Sequence, residues 1–390
     1  MYTLLVVTLA APSETDARSL EADFTPRGAF TIMSHTGQPT GFLNAEEMTA
    51  FRTALASTLL LCRRSHLKTL TVFGAGKQAY WHIRLALLLR GRTIKHINII
   101  NRKLHIRTKT LLRSFVQVDQ ATKAHEGWSN AKFAIMSPEY GEYDRLVKEQ
   151  LRAADAIIMT VPSTEPLFDH LILTSTEGRK KGRLLIAIGS YKPHMIEVPK
   201  EMLLQAVRPT NDHRHFHRHA AEGGVIVVDT LTGCLKEAGE VIQAGLSPMQ
   251  LVEVGELVML EDQSDPPQDS ESSIVSDLDI EKMNIEMRSS TSSSMSSVMR
   301  ENSTASSGSS RRSGSLSRAF SSKSLGSGKH KRSSSVDSSK TAKDDAMSRW
   351  LSTGNVIYKS VGMGLMDLVV GGELVRLARE RGIGKTIQDF

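Results

Sequence analysis

The hexapeptide Gly74-Ala75-Gly76-Lys77-Gln78-Ala79 stands between an apolar run, Leu67 to Phe73, and a helix-forming segment, Lys77 to Arg90. In that setting Gly74 permits a tight turn and Gly76 lets the backbone approach a pyrophosphate. Ala79 keeps the helix close to the strand. The helix N-terminus then offers free N–H groups and a favourable dipole to phosphates. The pattern points to a dinucleotide site. The alternative is a parallel sheet that has kept the turn without the ligand.

The next apolar run, His96 to Asn101, ends in Asn101-Arg102, and no Asp or Glu lies between Arg90 and Arg107. An NAD-selective site carries an acid here for the ribose hydroxyl, whereas an arginine fork pairs with a 2′-phosphate. NADP(H) is therefore the preferred cofactor and NAD(H) the alternative, unless Arg102 is only a solvated strand end. Thr160-Val161-Pro162-Ser163-Thr164-Glu165-Pro166 follows another apolar run. The hydroxyls of Thr160 and Ser163 suit contacts to the nicotinamide ribose.

Other candidate chemistries are weaker. His213, His215, His217 and His219 alternate with Arg214 and Arg218, whose positive charge opposes a metal cation, so no metal is expected. Cys62 and Cys234, each beside a leucine, read as buried, reduced thiols. The formal charge of +7 is spread among acidic residues, with no basic stripe and no interleaved aromatics, which argues against nucleic acid. Leu4 to Ala11 is far shorter than the roughly 20 residues that span a bilayer, and no basic segment precedes it. A cytoplasmic protein without membrane contact is expected.

The elements that must position these residues alternate. Strands are expected at Leu67–Phe73, His96–Asn101, Lys132–Met136, Ala156–Thr160, Leu184–Ile188 and Val225–Asp229. Helices at Lys77–Arg90, Arg107–Phe115, Ala121–Trp128, Glu142–Leu151 and Pro199–Ala206 separate them, and another spans Lys236–Ala244. Strands this continuously apolar imply a parallel sheet covered on both faces. Before it lie short strands at Thr3–Thr8, Gly28–Met33 and Thr40–Leu43, then a helix from Ala45 to Cys62 capped by Asn44. After residue 346 come a strand at Val356–Lys359 and helices at Gly362–Val370 and Glu373–Arg379.

Residues 261–346 are acidic at first and then dominated by Ser, Arg and Lys, a composition that cannot offset its ordering entropy. Disorder is expected there. Arg311-Arg312-Ser313-Gly314-Ser315 and Lys331-Arg332-Ser333-Ser334 read as basic-directed phosphorylation sites, so a kinase or docking partner is expected for this insert.

Taken in order, several segments resemble the ornithine cyclodeaminase and mu-crystallin family. They are Thr36-Gly37-Gln38-Pro39, Thr49-Ala50-Phe51-Arg52-Thr53-Ala54, Gly74 to Ala79 with its Gln78, and Asn101-Arg102. Ser163-Thr164-Glu165-Pro166, Ala187-Ile188-Gly189, Asp229 with Glu237-Ala238-Gly239, and Lys359-Ser360-Val361-Gly362 continue the series. The resemblance implies an α/β fold: a Rossmann-type parallel sheet plus a smaller α/β dimerisation and substrate domain formed from both chain ends. The corresponding division is 1–62 for a partial substrate and dimerisation domain, 63–245 for the NAD(P)-binding domain and 246–260 for a connecting segment. Residues 261–346 are the insert and 347–390 the return to the terminal domain. It also implies a homodimer, a small imino or amino acid as substrate, and cofactor contacts extending to Ile188 and Gly189.

Arg52 matches the family's carboxylate-binding arginine, the alternative being a brace between domains. Two departures bear on activity. Tyr191 in Gly189-Ser190-Tyr191-Lys192-Pro193 stands where cyclodeaminases carry an aspartate that acts at the substrate amino group. With a reference value of about 10, tyrosine cannot accept a proton at neutral pH as a carboxylate does. Leu5 stands where the family carries a substrate-facing lysine, and no lysine precedes Lys68. Against the family pattern the chain starts inside the terminal domain, so either a longer N-terminus or a depleted substrate site is expected. A ketimine-reductase-like oxidoreductase follows, with Arg52, Tyr191 and Lys192 as catalytic candidates. A cyclodeaminase-like ammonia lyase and a non-catalytic NAD(P)-binding protein are the alternatives.

Overall fold

A computed structural model describes residues 4–10, 27–208, 223–259 and 347–385. The histidine cluster at 213–219, the expected phosphorylation sites and the whole of the 261–346 insert lie outside these residues.

Eleven strands of the described residues fall into two sheets. Strands β1 (Leu4–Ala10), β2 (Arg27–Met33) and β3 (Pro39–Asn44) form an antiparallel sheet in that order. Gly37, at φ +83°, makes the β2–β3 turn. The second sheet comprises β4 (Thr69–Phe73), β5 (His96–Ile100), β6 (Lys132–Met136), β7 (Ala156–Met159), β8 (Leu184–Ala187), β9 (Val225–Val228), β10 (Val252–Glu253) and β11 (Val356–Lys359). Its order is β10-β9-β11-β8-β7-β4-β5-β6, with every pairing parallel. All strand C-terminal ends therefore share one edge. Open parallel sheets bind ligands at that edge.

The alternation of side chains across the sheet builds two cores. Leu70 and Val72 of β4 and Ile158 of β7 join Ile83 and Leu87 on one face. Phe73, Ile157 and Met159 join Val147, Leu151 and Leu203 on the other. Helix α1 (Ala45–Arg63) begins directly after β3, where the Asn44 side chain accepts the N–H of Glu47 at 3.1 Å. It packs against α2 (Lys77–Arg90) through Ser57 and His82, 2.9 Å apart and buried. The other sheet-flanking helices are α3 (Ile106–Val116), α4 (Gln120–Glu126), α5 (Tyr143–Ala153), α6 (Leu171–Thr174), α7 (Lys200–Ala206), α8 (Leu231–Glu237) and α9 (Gly239–Gln243).

Three local expectations change. Lys236–Ala244 is not one helix: α8 and α9 break at Ala238, which is extended at ψ 103°. The break brings Gly239 onto the carbonyls of Pro193 and Met195 and turns Glu240 inward. The two C-terminal helices are one, α10 (Gly364–Glu380). Gly371 does not interrupt it, because the missing side chain lets the helix press against Ile32, Met48 and Leu43. Cys234 is buried as expected, but Cys62 is exposed, since it lies on the outward face of α1 beside the inward Leu61.

The segment after residue 346 serves both sheets. Strand β11 lies between β8 and β9 inside the parallel sheet, and α10 packs on α1 and the antiparallel sheet. Arg64 secures the approach to β11, donating to the carbonyls of Leu351, Gly354 and Gly182 at 3.2, 2.8 and 3.2 Å.

Candidate functional site

The glycine turn has the properties its sequence demands. Gly74 sits at φ +107°, and a Cβ there would meet Thr160 Oγ1 at 2.5 Å. Only glycine fits. At Gly76 a Cβ would meet nothing within 4 Å, so space lies open above the N-terminus of α2. Among the described residues no side chain caps that helix, and its Tyr80 N–H is the first to bond back, to Gly76. The amides of Lys77, Gln78 and Ala79 precede this bond and are free for an anion. Ala79 is fully buried, and Gln78 Oε1 is buried without a partner among the described residues. Lys77 turns toward α1, with its ammonium 2.8 Å from Glu46 and 2.7 Å from Glu47. The glycine turn and the first turn of α1 are thereby tied together.

Around this turn the shared edge gathers the other predicted residues. Asn101 donates to Lys103 O and Thr108 Oγ1, both at 2.9 Å, shaping the loop on which Arg102 is exposed. A cleft beside it is lined by Ile100, Asn101, Arg102, Val161 and Ser163. Thr160 Oγ1 donates to Phe73 O at 2.7 Å, and Ser163 Oγ to Glu165 O at 2.6 Å. Gly189 is pressed against the next loop: a Cβ there would lie 2.4 Å from Val161 O. Ile188 is 8% exposed and continues β8, its N–H donating to Met159 O.

Arg52 occupies a second part of the same edge. Its Nε donates to Asp367 Oδ1 at 2.8 Å, and the two side chains are about nine-tenths buried. Burial raises the Asp367 pKa, while Arg52 opposes the shift. Both terminal guanidinium nitrogens lie 3.2 Å from where a Cβ of Gly362 would be. Their sole contact with a polar atom among the described residues is the Met366 sulfur, 3.9 Å from Nη1. The fork thus retains donors for a carboxylate.

Gly362 is held by Asp229 at the end of β9. One oxygen of Asp229 accepts from Ser360 Oγ at 2.8 Å, Val361 N at 2.9 Å and Gly362 N at 2.7 Å. The other accepts from Thr230 N at 2.8 Å and faces Cys234 Sγ, whose thiol pKa burial pushes up. Tyr191 and Lys192 lie elsewhere on this edge, exposed on the loop after β8, with the ammonium 5.9 Å from the centre of the Tyr191 ring. The structure gives them no contact with Arg52.

Sequence reasoning passed over Asp367, Glu197, Glu240 and Ser190. Glu197, flanked by Ile196 and Val198, carried a signal in its acid-between-apolar setting; Asp367 had none, because its partner is 315 residues away. Among the described residues no group of three or more His, Cys, Asp or Glu is placed to hold a metal, and no helix is long and apolar enough to cross a membrane.

The fold and this edge define a Rossmann-type α/β protein, and comparison with known proteins agrees. A structure of the Thermococcus litoralis Delta(1)-pyrroline-2-carboxylate reductase, in complex with NADH and L-proline, matches at TM-score 0.56 and 14% identity, covering 99% of this chain and 81% of that one. A probable ornithine cyclodeaminase from Bordetella pertussis matches at TM-score 0.51 and 18% identity, covering 93% and 76%. In sequence, an uncharacterized protein of Saccharomyces cerevisiae is 32% identical over 250 residues, 58% of this chain and 61% of that protein. The Delta(1)-pyrroline-2-carboxylate reductase of Bacillus cereus is 26% identical over 172 residues, 44% of each. The chain thus spans 61% and 44% of these two relatives. No family model matches. With an uncharacterized cyclodeaminase of Dictyostelium discoideum, 29% identical over 164 residues, these matches make the chain similar to members of the ornithine cyclodeaminase and mu-crystallin family.

Proposed function

We propose that the chain is an NAD(P)-dependent oxidoreductase of small imino or amino acids, resembling a ketimine reductase. One observation carries the reading: the Arg52 fork, anchored at Nε by Asp367 and seated on Gly362, lies at the same sheet edge as an uncapped glycine turn. A dinucleotide fits that turn, because space is open at Gly76 and the amides of Lys77 to Ala79 are free. When bound, it supplies the hydride exchanged with the carbon of a C–N bond.

The chain's own residues bind and orient the substrate. The terminal nitrogens of Arg52 grip a carboxylate in bidentate fashion, and Asp367 prevents the guanidinium from rotating. Asp229 holds the turn beneath it. Tyr191 and Lys192 are assigned as candidates for holding the proton delivered to nitrogen. Tyr191 supplies no carboxylate, which favours reduction over cyclodeamination.

The finer assignments belong to the same proposal. Exposed Arg102, with no acid nearby in sequence, favours NADP(H) over NAD(H). Leu365 and Val369, one turn apart on α10 and more than 60% exposed, offer an apolar strip that a second copy would cover, in keeping with a homodimer. The terminal segments and the parallel sheet are assigned to substrate and cofactor respectively, the site is placed in the cytoplasm, and the 261–346 segment to a kinase or docking partner.

The test is cyclic ketimine reduction by the full chain with NADPH and NADH, run beside Arg52→Ala. The expected result is turnover by the wild type and a rise in imino-acid KM of at least about tenfold in the variant. Equal activity in the two proteins would remove Arg52 from the mechanism. Dinucleotide binding without turnover of any cyclic imine would favour the non-catalytic reading.

A further inference from the structure

The carboxyl of Glu197 is completely buried and plays no part in the mechanism above. One oxygen accepts the N–H of Val161 at 3.0 Å; the other accepts those of Gly189 and Ser190 at 2.7 and 3.1 Å. Val161 follows β7 and Gly189 follows β8. These neighbouring strands share their last backbone bond at Ile188 N–H to Met159 O. Beyond it the Glu197 carboxyl takes over the work of the ladder, bridging the two loops.

Those loops are linked by contact to the dinucleotide turn. The missing Cβ of Gly74 makes room for Thr160 Oγ1 and Val161 Cγ2, at 2.5 and 3.2 Å from its ideal position. That of Gly189 makes room for Val161 O and for Glu197 Oε1 itself, at 2.4 and 2.5 Å. A chain of close contacts thus runs from Gly74 through Val161 to Glu197 and Gly189.

The charged groups acting on Glu197 come from two further elements. Lys359 of β11 and Glu240 of α9 are each 1% exposed and form an ion pair at 2.9 Å. The second oxygen of Glu240 lies 2.6 Å from Ser190 Oγ. Ser190 is therefore held twice, at its N–H by Glu197 and at its hydroxyl by Glu240.

We propose that Glu197 is a positioning residue of the dinucleotide site, its carboxyl setting the backbone of Val161 and Gly189 against the Gly74 turn so that cofactor affinity depends on it. The inference rests on the reading of the chain as a dinucleotide-dependent enzyme. A neutral acid accepts N–H bonds less strongly than a carboxylate, so the clamp tightens when Glu197 ionises. Burial pushes that ionisation up to about 8, Lys359 opposing the shift and Glu240 adding to it. Dinucleotide affinity should then rise with pH through this range.

The experiment measures NADPH and NADH dissociation constants for the full chain from pH 6 to pH 9.5, without imino acid. It compares the wild type with Glu197→Gln, whose amide nitrogen places donors against the backbone N–H groups. The inference expects binding about tenfold weaker in the variant, with the pH dependence gone. Glu240→Gln serves as a second variant should the first fail to fold. Removing that negative charge should move the midpoint of the pH dependence to lower pH. A wild type that binds neither dinucleotide sinks the functional reading and this inference with it. Wild-type binding matched by Glu197→Gln in strength and pH profile, or an unmoved midpoint in Glu240→Gln, overturns this inference alone.

Discussion

Arg52 rests on the backbone of Gly362, whose φ of +99° and missing side chain leave its two terminal nitrogens 3.2 Å from the vacant Cβ position. The two residues are 310 positions apart in sequence. Each is held by its own carboxylate: Asp367 anchors Arg52 at Nε, and Asp229 gathers the N–H groups of Val361 and Gly362.

Gly362→Ala should therefore act on the substrate rather than on the cofactor. A methyl group there pushes the guanidinium away and strains the backbone, at a cost of about 1–3 kcal/mol. Imino-acid KM should rise at least about tenfold, while the NADPH dissociation constant stays within about twofold of the wild type. Steady-state kinetics and fluorescence titration check the two halves. Equal losses in both would show that the turn supports the whole edge instead.

Gly74→Ala should have the opposite signature. Its Cβ would collide with Thr160 Oγ1 at 2.5 Å in a left-handed conformation. Thr160 is fixed by its bond to Phe73 O, so it cannot retreat without losing that partner. Dinucleotide affinity should fall by about a hundredfold or more. Calorimetric titration of the wild type and the variant measures the loss, and unchanged affinity would place the ligand elsewhere.

Arg102→Glu should exchange cofactor preference. The exposed arginine favours a 2′-phosphate, whereas a carboxylate repels that phosphate and accepts from a ribose hydroxyl. The ratio of kcat/KM for NADPH to that for NADH should drop at least about tenfold. A ratio unaffected by the substitution would mean that Arg102 is a solvated strand end.

Stability should decline between about pH 6.5 and pH 8. The folded value of Glu197, about 8, lies above its ordinary 4.5, so in that interval the folded chain holds a proton that the unfolded chain has released. Its contribution is greatest below the unfolded value and is lost as pH rises through the folded one. His82 acts at the other end. Burial lowers it to about 4 from 6.5, against its bond to Gln78 O, so stability is lost as pH falls through that window. The two slopes oppose each other between 4.5 and 6.5, and above 6.5 Glu197 alone remains. Thermal melts in matched buffers should show Tm falling from pH 6.5 to 8, and Glu197→Gln should flatten that limb. A flat wild-type profile would contradict the assignment.

Much of the candidate cofactor edge was legible in the sequence because its signals are local. The Gly74 turn, the strand before it and the helix after it lie within 24 consecutive residues, Leu67 to Arg90, and each constrains the next through backbone geometry. Strand periodicity likewise placed β6 and β11 to the residue. That α10 is one helix was not legible for a physical reason: a glycine in isolation weakens a helix, yet here the missing side chain of Gly371 permits α10 to pack on Ile32 and Met48.

The sequence by itself determined the alternating elements and the glycine turn, and the resemblance singled out Arg52 as a candidate for gripping a carboxylate. Only the tertiary structure decided what surrounds them. Asp367 orients Arg52 and Asp229 fixes Gly362 by contacts between segments distant in sequence, and Glu197 ties Val161, on another loop, to Gly189. Such pairings leave no periodic trace, since they arise where parallel strands from separate parts of the chain end on a common edge. Strand β11 shows the same division: its four residues announced a strand, but its place between β8 and β9 was set by backbone partners more than a hundred residues earlier.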